Sequence, residues 1–316
     1  MAYERFKKLD GKKHDRMIKA VIGISLLKFN KLLVAFAAAY DAVQLERCQQ
    51  GEIKQIPSGG QKGHLDSFEK KLFFILHYLK TYPTFDLLGF QFGFSSGHAH
   101  NHVENHLPVL LRSLSDLGVL PARSPGTPAE FLQLVEKYGD ILIDGMECSC
   151  VRPQDEELQK ARYSGKKKRP TLKAVVVSTL HRQILFLFCL FAGSIHDYTL
   201  LKKVFNPKLK WFYKVDVWLD LGFQGAETDY GGNSKIHLPH KRQRKSKKNP
   251  KPKLTAAQVK HNRNHAKTRV PVEHAIGGMK AFHCLTHRIR NHLDPIIEYL
   301  FWLPAGLWNF KLSLSY

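Results

Sequence analysis

Residues 140–146 read DILIDGM, an Ile-Leu-Ile run that stops on Asp144 and Gly145. A short apolar run closed by an acid and a glycine predicts a buried strand that ends at a turn. Three further segments share the character: TLKAVVVST (171–179), QILFLFCLF (183–191) and YKVDVWLD (213–220), all rich in Val, Ile, Leu and Phe. SKIHLPH (234–240) offers a fifth, shorter strand. GSIHDYTLLKKVF, after the third run, reads as a helix capped around Ser194, and helix returns at 270–284. Three strands, a helix, two strands and a helix make a mixed α/β order.

Upstream the character changes. PARSPGTPAE (121–130) concentrates Pro and Gly and marks a domain boundary. Before it the chain is helical. Residues 13–46 predict one helix, with Leu26, Leu27, Phe29, Leu32, Leu33 and Phe36 near helical spacing. A Gly-, Pro- and Ser-containing linker follows at 49–64. LDSFEKKLFFILHYLKTYP then predicts a capped helix that stops at Pro83. TFDLLGFQFGF predicts a short helix with a turn at Gly93. A second helix opens at Ser95 or Ser96 and ends near Gly118. The expected organisation is a helical region over 1–50 suited to dimerisation or core packing, a compact helical domain over 65–118 and an α/β domain over 131–316.

The composition narrows the partners. The 316 residues carry 49 Lys+Arg against 27 Asp+Glu, a net charge of +22. Such a field attracts polyanions, and nucleic acid is the commonest. A packing protein of chromatin would share the charge but would not need 20 Phe, 11 Tyr and 4 Trp. Five cysteines without a CxxC pair indicate a reduced, intracellular protein. The expected location is the cytoplasm or nucleoid, or the nucleus in a eukaryotic host. The N-terminus is charged throughout, unlike a signal peptide, and apolar runs such as ILFLFCLFAG (184–193) are too short to span a membrane.

Phosphodiester chemistry needs charge stabilisation at phosphorus, which divalent metals held by carboxylates supply. The expected signature is acids at the ends of buried strands. Asp144 ends one strand and Asp220, before LGFQG, ends another. Each alone is equally an acid that starts a turn. Asp216 shares the strand parity of Asp220 and competes with it. In TRVPVEHAIGGMK (268–280), Arg269, Glu273 and Lys280 share a helical face. Pro271 fits a first helical turn, which sets Glu273 near a helix N-terminus. An ordinary Arg–Glu pair on a surface helix is the other reading of that face.

Taken together, IDGMECSCVRP, YSGKKKRPTLKAVVV, GSIHDYTLL, DLGFQG and RVPVEHAIGGMK resemble the DDE transposases of the insertion-sequence-five group and their Harbinger-like relatives, over roughly residues 138–295. The resemblance implies an RNase H-like catalytic domain, with Asp144, Asp220 and Glu273 as a catalytic triad holding two Mg²⁺ ions, for which Mn²⁺ can substitute. It implies binding of terminal inverted repeats, cleavage at element ends and joining of the 3′-OH to target DNA, with a homodimer on double-stranded DNA. Arg269 and Lys280 match the Arg and Lys of the family signature and are expected to contact phosphates or steady Glu273. The Tyr of some relatives falls at Ala266, leaving its role unfilled or passed to His265. Met146 and Phe223 stand where Thr and Tyr are frequent. Glu147, His196 and Asp197 lie in family blocks, and Asp197 suits a helix start or a supporting position.

Residues 66–117 resemble the helix-turn-helix that precedes the catalytic domain in this group. Its second helix is expected to present Ser96, His98, Asn101, His102 and Asn105 to a DNA groove. His98, His102 and His106 also share a face, for which zinc is the alternative, with Pro108 expected to close the helix. Two basic runs are expected to grip phosphates. One is Lys166, Lys167, Lys168 and Arg169. The other is the insertion 241–253, with Lys241, Arg242, Arg244, Lys245, Lys247 and Lys248. The alternative functions are a metal-dependent DNA endonuclease without strand transfer and a domesticated, non-catalytic DNA-binding derivative.

Overall fold

Gly23 and Ser25 break the expected N-terminal helix in two. The computed structural model describes residues 2–56, 63–232, 235–244, 252–292 and 294–313. After α1 (Ala2–Phe6), helix α2 (Asp15–Ile22) ends on Gly23 in the left-handed region at φ 82°. A Cβ on Gly23 would lie 2.4 Å from the Phe282 ring, so both conformation and space demand glycine. Ser25 then caps α3 (Leu26–Gln49), its Oγ accepting from the Lys28 N–H.

Contacts divide the chain into two units, Met1–Leu120 with Gly278–Tyr316, and Pro121–Gly277. The segment expected as one domain over 131–316 therefore contributes its last part to the helical unit. There Arg290 Nη2 donates to the carbonyls of Tyr82 (2.9 Å) and Pro83 (2.7 Å), and Asn309 Nδ2 donates to Val119 O (3.0 Å).

The helical unit continues with α4 (Phe68–Thr81), α5 (Phe85–Phe92) and α6 (Ser96–Asp116), each capped by a hydroxyl from Ser67, Thr84 or Ser95. Two glycines make the α5–α6 turn. Gly93 ends α5 at φ 83°, and a Cβ on Gly89 would meet the Phe94 carbonyl at 2.4 Å. Pro108 does not close α6, which runs on to Asp116. Leu107, Val109, Leu110 and Leu114 are fully buried around it, and that packing outweighs the lost backbone hydrogen bond. The unit ends with α12 (Asp294–Ser313).

His106 is interior rather than a ligand. Its ring lies against Phe36 and Tyr40, Nδ1 donates to His102 O, and buried Nε2 has no partner among the described residues. Burial pushes its pKa down to about 4. The unfolded chain takes up a proton near 6.5, so stability is full above that pH and is lost as pH falls towards 4. The window corresponds to about 3 kcal/mol. We expect His106→Leu to flatten the fall of the urea-unfolding midpoint between pH 7 and 4. An unchanged pH profile would show that another group governs it.

The second unit opens with α7 (Pro128–Val135), held by a reciprocal cap between Thr127 and Glu130. Its sheet contains β1 (Asp140–Ser149), β2 (Tyr163–Ser164), β3 (Arg169–Thr179), β4 (Ile184–Ala192), β5 (Asp216–Trp218) and β6 (Lys235–His237). Strand β3 pairs antiparallel with both β1 and β4, whereas β1–β5 and β5–β6 are parallel. Helices α8 (Glu156–Arg162), α9 (Asp197–Val204), α10 (Ala226–Tyr230) and α11 (Ala256–Lys280) complete the elements, the last crossing the unit boundary at Gly277. This mixed sheet flanked by helices is the expected α/β, RNase H-like architecture.

Strand alternation sends Ile141 and Ile143 to one face, where they join Val175, Val177, Phe186, Phe131, Leu200 and Phe205 in the core. The other parity carries Leu142, Asp144 and Met146. Helix α11 is much longer than the 270–284 expected, so Pro271 lies in its interior and Glu273 far from its start. His265, Arg269, Val272, Ala275 and Met279 are buried along it, and tertiary burial overrides the local penalty of proline.

Candidate active site

The register of the parallel pair β1–β5 decides which acids meet. Leu142 lies opposite Trp218. Beyond that pair β5 ends and Asp220 caps the following turn, whereas β1 runs on through Asp144, paired with Val176 of β3, to Ser149; Asp144 therefore lies inside its strand rather than at the end expected for it. Asp216 is opposite Asp140 instead, four residues back along its strand, where its carboxylate meets His237 Nε2 at 3.2 Å. The sheet thus separates Asp220 from its competitor.

Each aspartate is held by the backbone that follows it. Asp144 Oδ1 accepts from the Gly145 N–H at 2.8 Å. Asp220 Oδ1 accepts from the Gly222 N–H at 3.0 Å, capping the 3₁₀ turn Leu221–Phe223. Glu273 comes from α11, one turn after Arg269, and is exposed. Burial pushes the Asp144 carboxyl up to about 6. Arg269 and the Gly145 N–H oppose that rise, while the like charges of Asp220 and Glu273 add to it. Asp144 therefore lies within electrostatic reach of both other acids, although no group of three or more His, Cys, Asp or Glu among the described residues closes into a metal cage.

The cation beside Asp144 in this structure is Arg269. Its Nη2 lies 3.2 Å from Asp144 Oδ2, with the two side chains 10% and 20% exposed. The contact is close but misaligned, and buried Nε and Nη2 have no aligned acceptor among the described residues. Arg269 is therefore set against Asp144 rather than against Glu273. The sequence pointed elsewhere because Arg269 and Glu273 are helical neighbours, whereas Asp144 is distant in the chain.

A carboxylate-only donor set is hard and fits Mg²⁺-like ions, which keep several waters and need few protein ligands. Convergence of like charge on a half-desolvated carboxyl is the electrostatic condition that a bound cation relieves.

The remaining expectations resolve one by one. Asp197 is the first residue of α9 and pairs with Lys173 Nζ at 3.0 Å. It sits under Gly145, where an added Cβ would be 3.4 Å from its carboxylate. Lys173 was not singled out by the sequence, since a lysine inside an apolar strand carries no motif. Glu147 accepts from Thr171 Oγ1 at 2.7 Å. His196 is exposed at the start of α9. His265 is buried, bound to His237 O at 3.1 Å and packed on Trp218, so it has no access to substrate. Met146 and Phe223 are both 1% exposed and serve packing.

Among the DNA-directed residues, Lys166, Lys167, Lys168 and Arg169 are exposed at the tight turn where β2 folds back on β3. Lys241, Arg242 and Arg244 are exposed in irregular chain after β6. Lys245, Lys247 and Lys248 lie outside the described residues. Lys280 is half-buried in the last turn of α11. On α6, Ser96, His98, Asn101 and Asn105 are exposed. Asn105 Oδ1 accepts from Arg47 Nη1 at 3.0 Å. His102 is half-buried between the rings of Phe94 and Phe74. That contact, with the burial of His106, leaves no three-histidine face for zinc.

Comparison with known proteins gives a consistent picture. The family model described as DDE superfamily endonuclease matches residues 143–309. The model described as helix-turn-helix of DDE superfamily endonuclease matches residues 63–116. A probable transposase for insertion sequence element IS702 from Microchaete diplosiphon is 27% identical over 317 aligned residues, spanning 100% of both chains. No solved structure matches the chain.

Proposed function

The chain belongs to the DDE superfamily endonucleases, whose chemistry depends on divalent metal, and from that premise we propose that it is a DNA transposase. It binds terminal inverted repeats through α4–α6, cleaves at element ends and joins the freed 3′-OH to target DNA. Full-length similarity to the insertion-sequence transposase supports this reading. The observation that carries it is the parallel pairing of β1 with β5, which brings the strand holding Asp144 beside the chain that leads into Asp220, while the like charges of Asp220 and Glu273 act on the Asp144 carboxyl.

Asp144, Asp220 and Glu273 would hold two divalent ions, Mg²⁺ with Mn²⁺ as substitute, which would supply charge stabilisation for the attacking and leaving oxygens. Arg269 fixes the Asp144 carboxylate and limits the cost of its burial. The Gly145 and Gly222 amides orient both aspartates before substrate arrives. Water attacks phosphorus and the 3′-oxygen leaves, taking a proton to become the hydroxyl. That hydroxyl next attacks a target phosphodiester, exchanging one P–O bond for another. Because two ends must be handled together, the protein acts as a homodimer on DNA, in the nucleoid or, in a eukaryotic host, the nucleus.

The test is incubation of the protein with labelled duplex carrying a terminal repeat, a plasmid target and a divalent cation. Cleaved ends joined to plasmid are expected. Cleavage without joining would reduce the protein to an endonuclease, and binding without either product to a DNA-binding derivative.

The turn after β2 grips phosphates, contributing affinity without sequence choice. Replacing Lys166, Lys167, Lys168 and Arg169 by alanine lowers the slope of log K against log[salt] by about 0.9 for each phosphate no longer neutralised. Discrimination between repeat and random duplex should be retained. Weakening confined to the repeat sequence would contradict this role.

A further inference from the structure

Helix α3 carries a second face that the described residues leave exposed. Phe29, Leu32, Phe36, Ala39 and Val43 are buried on one side. Diametrically opposite run Leu27, Lys31, Val34, Ala38, Asp41 and Leu45, all at least partly exposed. Leu27, Val34 and Leu45 are 66%, 74% and 47% exposed. The intervals alternate between four and three residues, which is the repeat of a seam between two helices.

The stripe is complementary to its own reverse. A two-fold axis at the level of Phe36 sets each position against the one equally far on the other side. Leu27 then meets Leu45, Lys31 meets Asp41 and Val34 meets Ala38. Neither Lys31 nor Asp41 makes an ion pair among the described residues. Ala35, Ala37, Ala38 and Ala42 keep the centre of the helix slim, so the backbones can approach. A parallel pairing would place Lys31 on Lys31 and Asp41 on Asp41, so the charges select the antiparallel arrangement.

We propose that α3 is the dimer interface of this protein, packing antiparallel on α3 of a second copy through Leu27, Lys31, Val34, Ala38, Asp41 and Leu45. This names the contact of the homodimer proposed above and rests on that reading for its purpose, but it is measured without DNA, metal or cleavage. The seam from Leu27 to Leu45 is about 27 Å long. An interface of that size belongs to the small class, below about 1,200 Å². With +22 on each chain, the DNA-free dimer is weak and is favoured by salt that screens the repulsion.

Sedimentation of the DNA-free chain at moderate salt should show a reversible monomer–dimer equilibrium in the micromolar range. Lys31→Asp and Asp41→Lys each replace two attractive pairs per dimer by two like-charge pairs and raise the dissociation constant about tenfold or more. The double exchange Lys31→Asp with Asp41→Lys restores wild-type association. On mild oxidation, Val34→Cys combined with Ala38→Cys links two chains, whereas Leu27→Cys alone does not, because its copies lie about 27 Å apart. A wild type that stays monomeric, single exchanges without effect, a double exchange that fails to recover, or linkage through Leu27→Cys would each overturn the proposal. None of these positions is buried, so the fold is spared, and nicking by the monomer would be judged separately.

Discussion

Asp220→Ala and Glu273→Ala each lower metal-dependent DNA cleavage by at least about a thousandfold, a loss of about 4 kcal/mol of transition-state stabilisation. Neither change should unfold the protein, since Glu273 is exposed and Asp220 sits at a strand end. Asp144→Asn is expected to do the same. It is the cleaner variant at that site because Asp144→Ala would also leave Arg269 buried without its partner. DNA affinity should be unchanged or higher in all three, because each removes a negative charge that faces phosphate. Gel-shift titration beside a cleavage time course separates the two effects. Wild-type cleavage by Glu273→Ala would remove it from the site, and an equal loss in binding and cleavage would point to misfolding.

Arg269→Ala is the second large effect. Removing one partner of a mostly buried ion pair costs about 3 kcal/mol, the lower end of the usual range. It falls there because Asp144, already pushed up to about 6, can take a proton instead of remaining a bare charge. The unit Pro121–Gly277 should unfold at lower denaturant than wild type. Combining Arg269→Met with Asp144→Asn should recover most of the stability and none of the activity. That outcome distinguishes Arg269 as the residue that holds Asp144 from a phosphate contact. If Arg269→Ala were fully stable and lost only DNA affinity, the phosphate role would stand.

Much of this was legible before any coordinates. The apolar runs before Asp144 and Asp220 predicted buried strands, and they form β1 and β5, although β1 runs on past Asp144 to Ser149 through its pairing with β3 and β5 stops at Trp218. Gly93 and the serines Ser95 and Ser96 marked the turn and the start of the long helix between α5 and α6, because caps and left-handed glycines act locally. The expectations that moved were those decided by distant contacts. Proline at 271 and 108 was read as a terminus, yet both lie inside helices whose apolar faces are buried. Of the two roles expected for Arg269, steadying its helical neighbour Glu273 gives way to a pairing with Asp144, distant in the chain. The exposed stripe on α3 was hidden because Leu27, placed on the core side by spacing, lies opposite Phe36.

The sequence by itself determined most of the strands, the caps and turns and the basic surface, since each is set by residue type and by spacing along a few turns of chain. Only the tertiary structure decided that Asp216 is set against Asp140 and His237, which acid Arg269 faces, which histidines are interior and where α11 begins. Those outcomes depend on strand register and on burial. Both are fixed by contacts between residues far apart in the chain, which no local pattern encodes.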